Sequence, residues 1–172
     1  MKEMQKVNRL STMGLFAAFS CIATMVLVVP SPSGGYINLG DTVVLLGAYL
    51  LGPVYGAVAG GVGSAMADIL AGYAVYAPAT LVIKALMALL AGLLYRKLHQ
   101  SHEALLVCGV IAESIMVVGY WLYDGLLMGS LVGSAVGIPA NLVQAGFGLV
   151  ASTLLALMLK KTGYVRNKFL AF

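Results

Sequence analysis

Hydrophobic residues in this chain come in long runs with few charges, broken by clusters of proline, glycine and basic side chains rather than by the one-sided stripes of a water-soluble fold. A helix needs about 20 residues to cross a bilayer, so each run has the length of a membrane span or a little less. The breaks divide the chain into six helices, predicted over residues 10–29, 42–51, 53–71, 79–98, 104–127 and 139–159. The predicted fold class is all-α, a six-transmembrane-helix bundle forming a single membrane domain over residues 1–172. The second helix is the exception. At about 1.5 Å per residue, a segment of about ten residues spans only half of a core about 30 Å thick. Either it turns back sharply at Gly52-Pro53 to make a hairpin with the third helix, or the two form one long kinked helix.

The third helix has its own pattern. Small or polar residues recur at every fourth position, Gly52, Gly56, Gly60, Ser64, Asp68 and Gly72, forming one slowly drifting stripe. In water each glycine would cost about 1 kcal/mol of helix stability relative to alanine. In a bilayer the backbone must satisfy itself, and small residues let a neighbouring helix approach closely. The stripe therefore predicts tight helix packing, with Asp68 turned toward protein or a polar cavity rather than lipid.

Composition sharpens this picture. With 61% hydrophobic and only 9% charged residues in 172, the chain lies far from the usual globular balance of about 25% charged. The net charge of +4 points to no nucleic acid, because nine of the ten basic residues sit at helix ends, Lys84 being the exception. Lys2, Lys6 and Arg9 precede the first helix, Arg96 and Lys97 follow the fourth, and Lys160, Lys161, Arg166 and Lys168 follow the sixth. With six spans all of them share one side, which places both termini in the cytoplasm and favours the hairpin. His99 and His102 fall in a short loop on that side and read as solvated.

Several functions are excluded. No GxxxxGK[ST] loop occurs, and the chain leaves no room for a soluble nucleotide-hydrolysing domain. Cys21 and Cys108 make no CxxC pattern and read as packing residues, without disulfide or metal. No serine-histidine pair, metal-spaced histidines or paired aspartates occur at membrane depth, so no enzyme and no cofactor is expected. The basic start and the apolar run to Val29 resemble a signal peptide, but the run is too long and ends in Val28-Val29-Pro30, so it is expected to be a retained first helix.

The polar residues inside the spans carry the candidate chemistry. Lys84 falls about 7 to 9 Å below the start of its helix, and a cation there needs a partner. Glu113 is the first expected partner, with Asp41, Asp68 and Asp124 as alternatives. Tyr120, Trp121 and Asp124 on the fifth helix and Asn141 and Gln144 on the sixth stand at a comparable level, and Glu113, Tyr120 and Asp124 can share a face. The loop YINLGD adds Tyr36, Asn38 and Asp41. Together these residues are the candidate substrate site. Tyr73 and Tyr76 read first as an interfacial belt, with ligand binding as the alternative.

The YINLGD loop, the LLGPVYGAVAGGVGSAMADILAGY run and the YAPATLVIKALMALLAGLLYRKL run resemble the substrate-binding S component of an energy-coupling factor (ECF) vitamin transporter, of the hydroxymethylpyrimidine/pyridoxine or riboflavin-type group. The resemblance covers nearly the whole chain and is strongest from Tyr36 to Leu98. It implies capture of a small water-soluble vitamin, and as partners a membrane-embedded coupling T component and two cytoplasmic ATPase subunits that supply the energy. It also implies docking through a small-residue patch on the first helix. The literal AxxxA is absent there, and Gly14, Ala17, Ala18 and Cys21 supply a small-xxx-small equivalent. Pyridoxine or hydroxymethylpyrimidine would suit an aromatic stack on Trp121 or Tyr120, whereas pantothenate would take Lys84 as a charge partner. A self-sufficient proton-coupled carrier using Asp68 or Glu113 is the alternative of a different class.

Overall fold

A computed structural model describes residues 2–162, with side chains from residue 8 onward; Arg166, Lys168 and the side chains of Lys2 and Lys6 lie outside the described residues. The helices are α1 (Lys2–Val26), α2 (Gly40–Leu51), α3 (Pro53–Leu70), α4 (Ala77–Lys97), α5 (His102–Met128) and α7 (Ile138–Lys160), with a one-turn α6 (Leu131–Ser134) and a short 3₁₀ turn (Ala135–Gly137) before the last. Among the described residues, four segments are long and apolar enough to cross a membrane: Asn8–Val26, Ala77–Lys97, His102–Met128 and Leu131–Lys160.

Two boundaries move from expectation. The first helix ends at Val26 instead of 29, because Val29 and Pro30 pair antiparallel with Ile37 and Tyr36 in a two-residue ladder, β1 (Val29–Pro30) and β2 (Tyr36–Ile37). The small-residue segment after α5, outside the six predicted helices, is coiled into α6 and the 3₁₀ turn, with the Ser130 hydroxyl accepting from the Gly133 N–H at 3.0 Å.

Segments α2 and α3 form a hairpin. Gly52 between them adopts φ +85°, a conformation other residues rarely reach, and Pro53 opens α3 where its missing N–H costs nothing. The two helices then close so tightly that a Cβ on Gly56 would fall 2.7 Å from the Ala48 Cα. Further along α3, Gly63 abuts the Ala17 carbonyl of α1, and the Ser20 and Ser64 hydroxyls meet at 3.1 Å. The small residues of α3 thus form seams to its neighbours, Gly56 to α2, Gly63 and Ser64 to α1, and Gly61 to α4.

The hairpin resolves the short helix. Helix α2 packs against α1, α3, α4 and α7, and nine of its residues, from Gly40 to Leu50, are buried. Enclosed by longer helices, it needs no span of its own. Its apolar half builds the core with Met87, Ala88, Ala91 and Tyr95 of α4 and Leu105, Cys108, Ala112 and Met116 of α5. There the Tyr49 ring lies 4.9 Å from that of Tyr95 and its hydroxyl donates to the Leu105 carbonyl at 3.0 Å.

At the end of the bundle below this core, Arg96 lies against Gly52, and the Lys160 ammonium donates to the Gln100 carbonyl at 2.6 Å. The ends of α2, α4 and α7 therefore gather on one side. The β1–β2 loop and the α3–α4 turn occupy the other.

Candidate functional site

The loop end carries the polar chemistry, and its anchor is the N-terminus of α2. Lys84 of α4 is completely buried, and its ammonium pairs with Asp41 Oδ1 in the first turn of α2. The other carboxylate oxygen accepts from Gln144 Nε2 of α7 at 2.6 Å. The Gln144 Oε1 in turn accepts from the backbone N–H of Asn38 at 2.7 Å, and the Asn38 side chain accepts from the Gly40 N–H at 2.9 Å. A buried ion pair is sustained only when its remaining hydrogen-bonding capacity is filled, and on Asp41 both oxygens are taken. The partner of Lys84 is thus Asp41 rather than Glu113, the first expectation. Both belong to the expected set, but only Asp41, on the central helix, faces α4 at the level of the ammonium.

Beside this cluster lies a small cavity of about 20 Å³, room for about one water molecule. It is narrow. Lys84 and Tyr120 form one wall, with the ammonium 5.3 Å from the ring centroid. Tyr36, Asn38, Asp124 and Asn141 also line it, so six of the ten expected substrate residues share one space.

Asp41 and Gln144 stand behind the wall and hold it. The other two expected residues go elsewhere. The Trp121 indole N–H donates to the Leu131 carbonyl at 2.9 Å, because α6 folds back under α5 and captures it. Glu113 lies deeper, between α5 and α7, and lines a different groove.

Other lining residues stand outside the expected substrate set. Asp68 accepts from the Tyr36 hydroxyl at 2.5 Å on one oxygen, while its buried Oδ2 has no hydrogen-bond partner. The Thr80 hydroxyl lies beside that carboxylate, but its hydrogen bond, at 3.0 Å, is shared with Tyr120. Tyr76, expected first as a belt residue, is buried and donates to Asp124 Oδ1 at 2.9 Å. The signal was present: Tyr76 stands at the entry to α4, and Thr80 and Lys84 follow at intervals of four on one face of that helix. Tyr36 and Tyr76 stand outside the spanning helices. Burial, and then the carboxylates they bond, pushes both hydroxyls well above the ordinary tyrosine range, so both remain donors. Tyr36 also packs on Tyr73 at 4.5 Å, closing an aromatic rim.

Among the described residues no three histidine, cysteine or acidic side chains are grouped to hold a metal ion. The docking patch divides. Gly14 and Ala18 are exposed and Cys21 is half-buried, but Ala17 turns its carbonyl into the α3 seam at Gly63, which removes it from a free flank.

The sequence profile of the ECF-type riboflavin transporter, S component, matches residues 4–161, and the chain belongs to that family of S components. The chain is 27% identical over 166 residues to the thiamine precursor transporter HmpT of Lactococcus lactis subsp. cremoris (strain MG1363), covering 95% of this chain and 94% of that one. It is 39% identical over 142 residues, 81% of this chain and 93% of the relative, to an uncharacterized protein in a gap 3' region of Pyrococcus woesei. The fold also matches a solved S-component for biotin from an ECF-type ABC transporter, with a TM-score of 0.65 and 21% identity over 95% of this chain and 96% of that one. These findings make the chain a multi-pass membrane protein and a vitamin-type S component.

Proposed function

We propose that this subunit captures hydroxymethylpyrimidine, or a close single-ring relative such as pyridoxine, from outside the cell. The observation that carries the reading is the Lys84–Asp41 pair, which neutralises the one buried ammonium among the described residues and leaves the cavity lined by acceptors, Asp68 and Asp124, rather than by a free cation. The exocyclic amine of an aminopyrimidine is an N–H donor, which suits a carboxylate with an unfilled oxygen such as Asp68. Pantothenate, an anion, finds no free positive charge there. The name of the Lactococcus relative, a thiamine precursor transporter, supports the same substrate. The substrate-binding group is Tyr36, Asn38, Lys84, Tyr120, Asp124 and Asn141, with Asp68, Thr80 and Tyr76 added and Asp41 and Gln144 holding it in place.

Isothermal titration of the purified chain with hydroxymethylpyrimidine, pyridoxine, pantothenate and riboflavin tests this. The first should bind at least about a hundredfold more tightly than pantothenate, about 2.7 kcal/mol; the reverse order would overturn the assignment.

Transport requires partners. Both termini are cytoplasmic in this reading, by the basic residues gathered at one end, so the cavity faces outward. The chain docks on a membrane-embedded T component through the exposed Gly14 and Ala18 of α1, topples, and releases its ligand inward at the expense of ATP hydrolysed by two cytoplasmic ATPase subunits. Ala18→Leu should leave ligand affinity unchanged while reducing ATP-dependent uptake in vesicles. Full uptake without the ATPases would instead identify a self-sufficient carrier.

A further inference from the structure

Counted by charge, the interior of the bundle is out of balance. Among the described residues four acids are buried, Asp41, Asp68, Glu113 and Asp124, against one base, Lys84. That base is committed to Asp41. Glu113 lies outside the lining of the loop-end cavity, whereas Asp68 and Asp124 both belong to it. These two are held alike. A tyrosine hydroxyl donates to Oδ1 of each, from Tyr36 to Asp68 at 2.5 Å and from Tyr76 to Asp124 at 2.9 Å, and among the described residues no hydrogen bond reaches either Oδ2.

Two carboxylates left this way around a poorly hydrated space, which a ring must widen to enter, favour positive charge in it. The walls suit one kind of cation. Tyr36, Tyr76 and Tyr120 line the same space, and the Tyr73 ring stands 4.5 Å from that of Tyr36 and 6.5 Å from that of Tyr76. Aromatic faces attract a flat, delocalised cation, which gives up its water more readily than a compact one. A metal ion is poorly served. Calcium takes about six to eight oxygen ligands, and among the described residues no three metal-binding side chains are grouped.

We propose that the ligand is bound as a cation, the aminopyrimidine ring carrying an added proton and its N–H-bearing ends received by Asp68 and Asp124. This rests on the function proposed above and adds the charge state to it. The proton sits on the ring nitrogen across from the exocyclic amine, so the cation has N–H donors at opposite ends of one ring, which suits two separate acceptors better than one. The balance is simple: a neutral ligand and one proton from the surrounding water enter the complex, and the charge spreads over ring and amine. Each hydrogen bond to a carboxylate is then roughly twice as strong as a neutral one. No neighbouring group competes for the role, since Lys84 is spent on Asp41, and Tyr36 and Tyr76 already donate to the two carboxylates.

The test uses the full chain in nanodiscs and hydroxymethylpyrimidine labelled at its ring nitrogens with the heavy isotope, at a pH where the free ligand is neutral. NMR should report the bound ring as protonated, and calorimetric titration in buffers of differing ionisation enthalpy should show uptake of about one proton per ligand. An analogue with trifluoromethyl in place of the ring methyl keeps the amine but has ring nitrogens too weakly basic to take the proton, and it should bind at least about tenfold more weakly. Asp68→Asn and Asp124→Asn should each lower the proton uptake and bring the two ligands closer in affinity. Excess calcium should not displace the ligand. Tight binding of hydroxymethylpyrimidine with an unprotonated ring, or equal affinity for the two ligands, would overturn the charge state while leaving the proposed function in place. Displacement by calcium would give the carboxylates to a metal ion and overturn it as well, and folded variants with unchanged uptake would remove the two aspartates from it. Pantothenate binding more tightly than hydroxymethylpyrimidine would overturn both readings. The ligand arms use the wild-type chain, so they hold even if neither variant folds.

Discussion

Asp41 and Asp68 are both buried carboxylates near the loop end of the bundle, yet their surroundings assign them different work. Every oxygen of Asp41 is engaged, by Lys84 and by Gln144, and these contacts join three helices. Asp68 has one oxygen on the Tyr36 hydroxyl and the other unfilled, facing residues that line a cavity. A closed set of hydrogen bonds has nothing left to offer a ligand and acts as framework; an open acceptor held by a framework is a recognition group.

The comparison can be broken by substitution, beginning with the largest expected effect. Lys84→Met strands the Asp41 charge in the interior and should cost about 3 to 5 kcal/mol, read as a lowered unfolding midpoint in detergent. Adding Asp41→Asn to Lys84→Met should restore much of that loss. If the single variant is as stable as the wild type, the pair is not the framework described here.

Asp68→Asn should do the opposite, leaving the midpoint near its native value because the amide oxygen still accepts from Tyr36, while weakening ligand binding by about 1.5 to 3 kcal/mol. A smaller effect is expected from Asn141→Ala, a lining residue without charge, at about tenfold in affinity or about 1.4 kcal/mol. Trp121→Phe marks the far end of the scale. Its indole serves α6 and not the cavity, so titration should find affinity within about 0.5 kcal/mol of wild type. A large loss there would return Trp121 to the binding site.

The helices themselves were legible in the sequence because bilayer spans leave long apolar runs, and Gly52-Pro53 marked the hairpin through the conformations those two residues prefer. Lys84 was conspicuous because a lone cation in such a run demands an explanation. Its partner was not legible. A helical wheel shows which residues share a face of one helix and says nothing of which helix lies opposite; that α2 sits between α1, α4 and α7 follows from packing alone. Trp121 was misplaced for a related reason: it shares the level of the cavity, but the turn of α6, four residues long, determines which way it points.

The burial of α2 has a consequence for biogenesis. A segment of twelve residues with an aspartate in its first turn is a poor candidate for independent insertion by the translocation machinery, since it is too short to span and presents a charge to lipid. It must therefore enter together with α3 and wait, unneutralised, until ribosomal synthesis has delivered the lysine of α4. Nascent chains halted before that lysine emerges should be the ones that quality-control proteases remove, and pulse-chase of chains truncated at successive points would locate where protection begins.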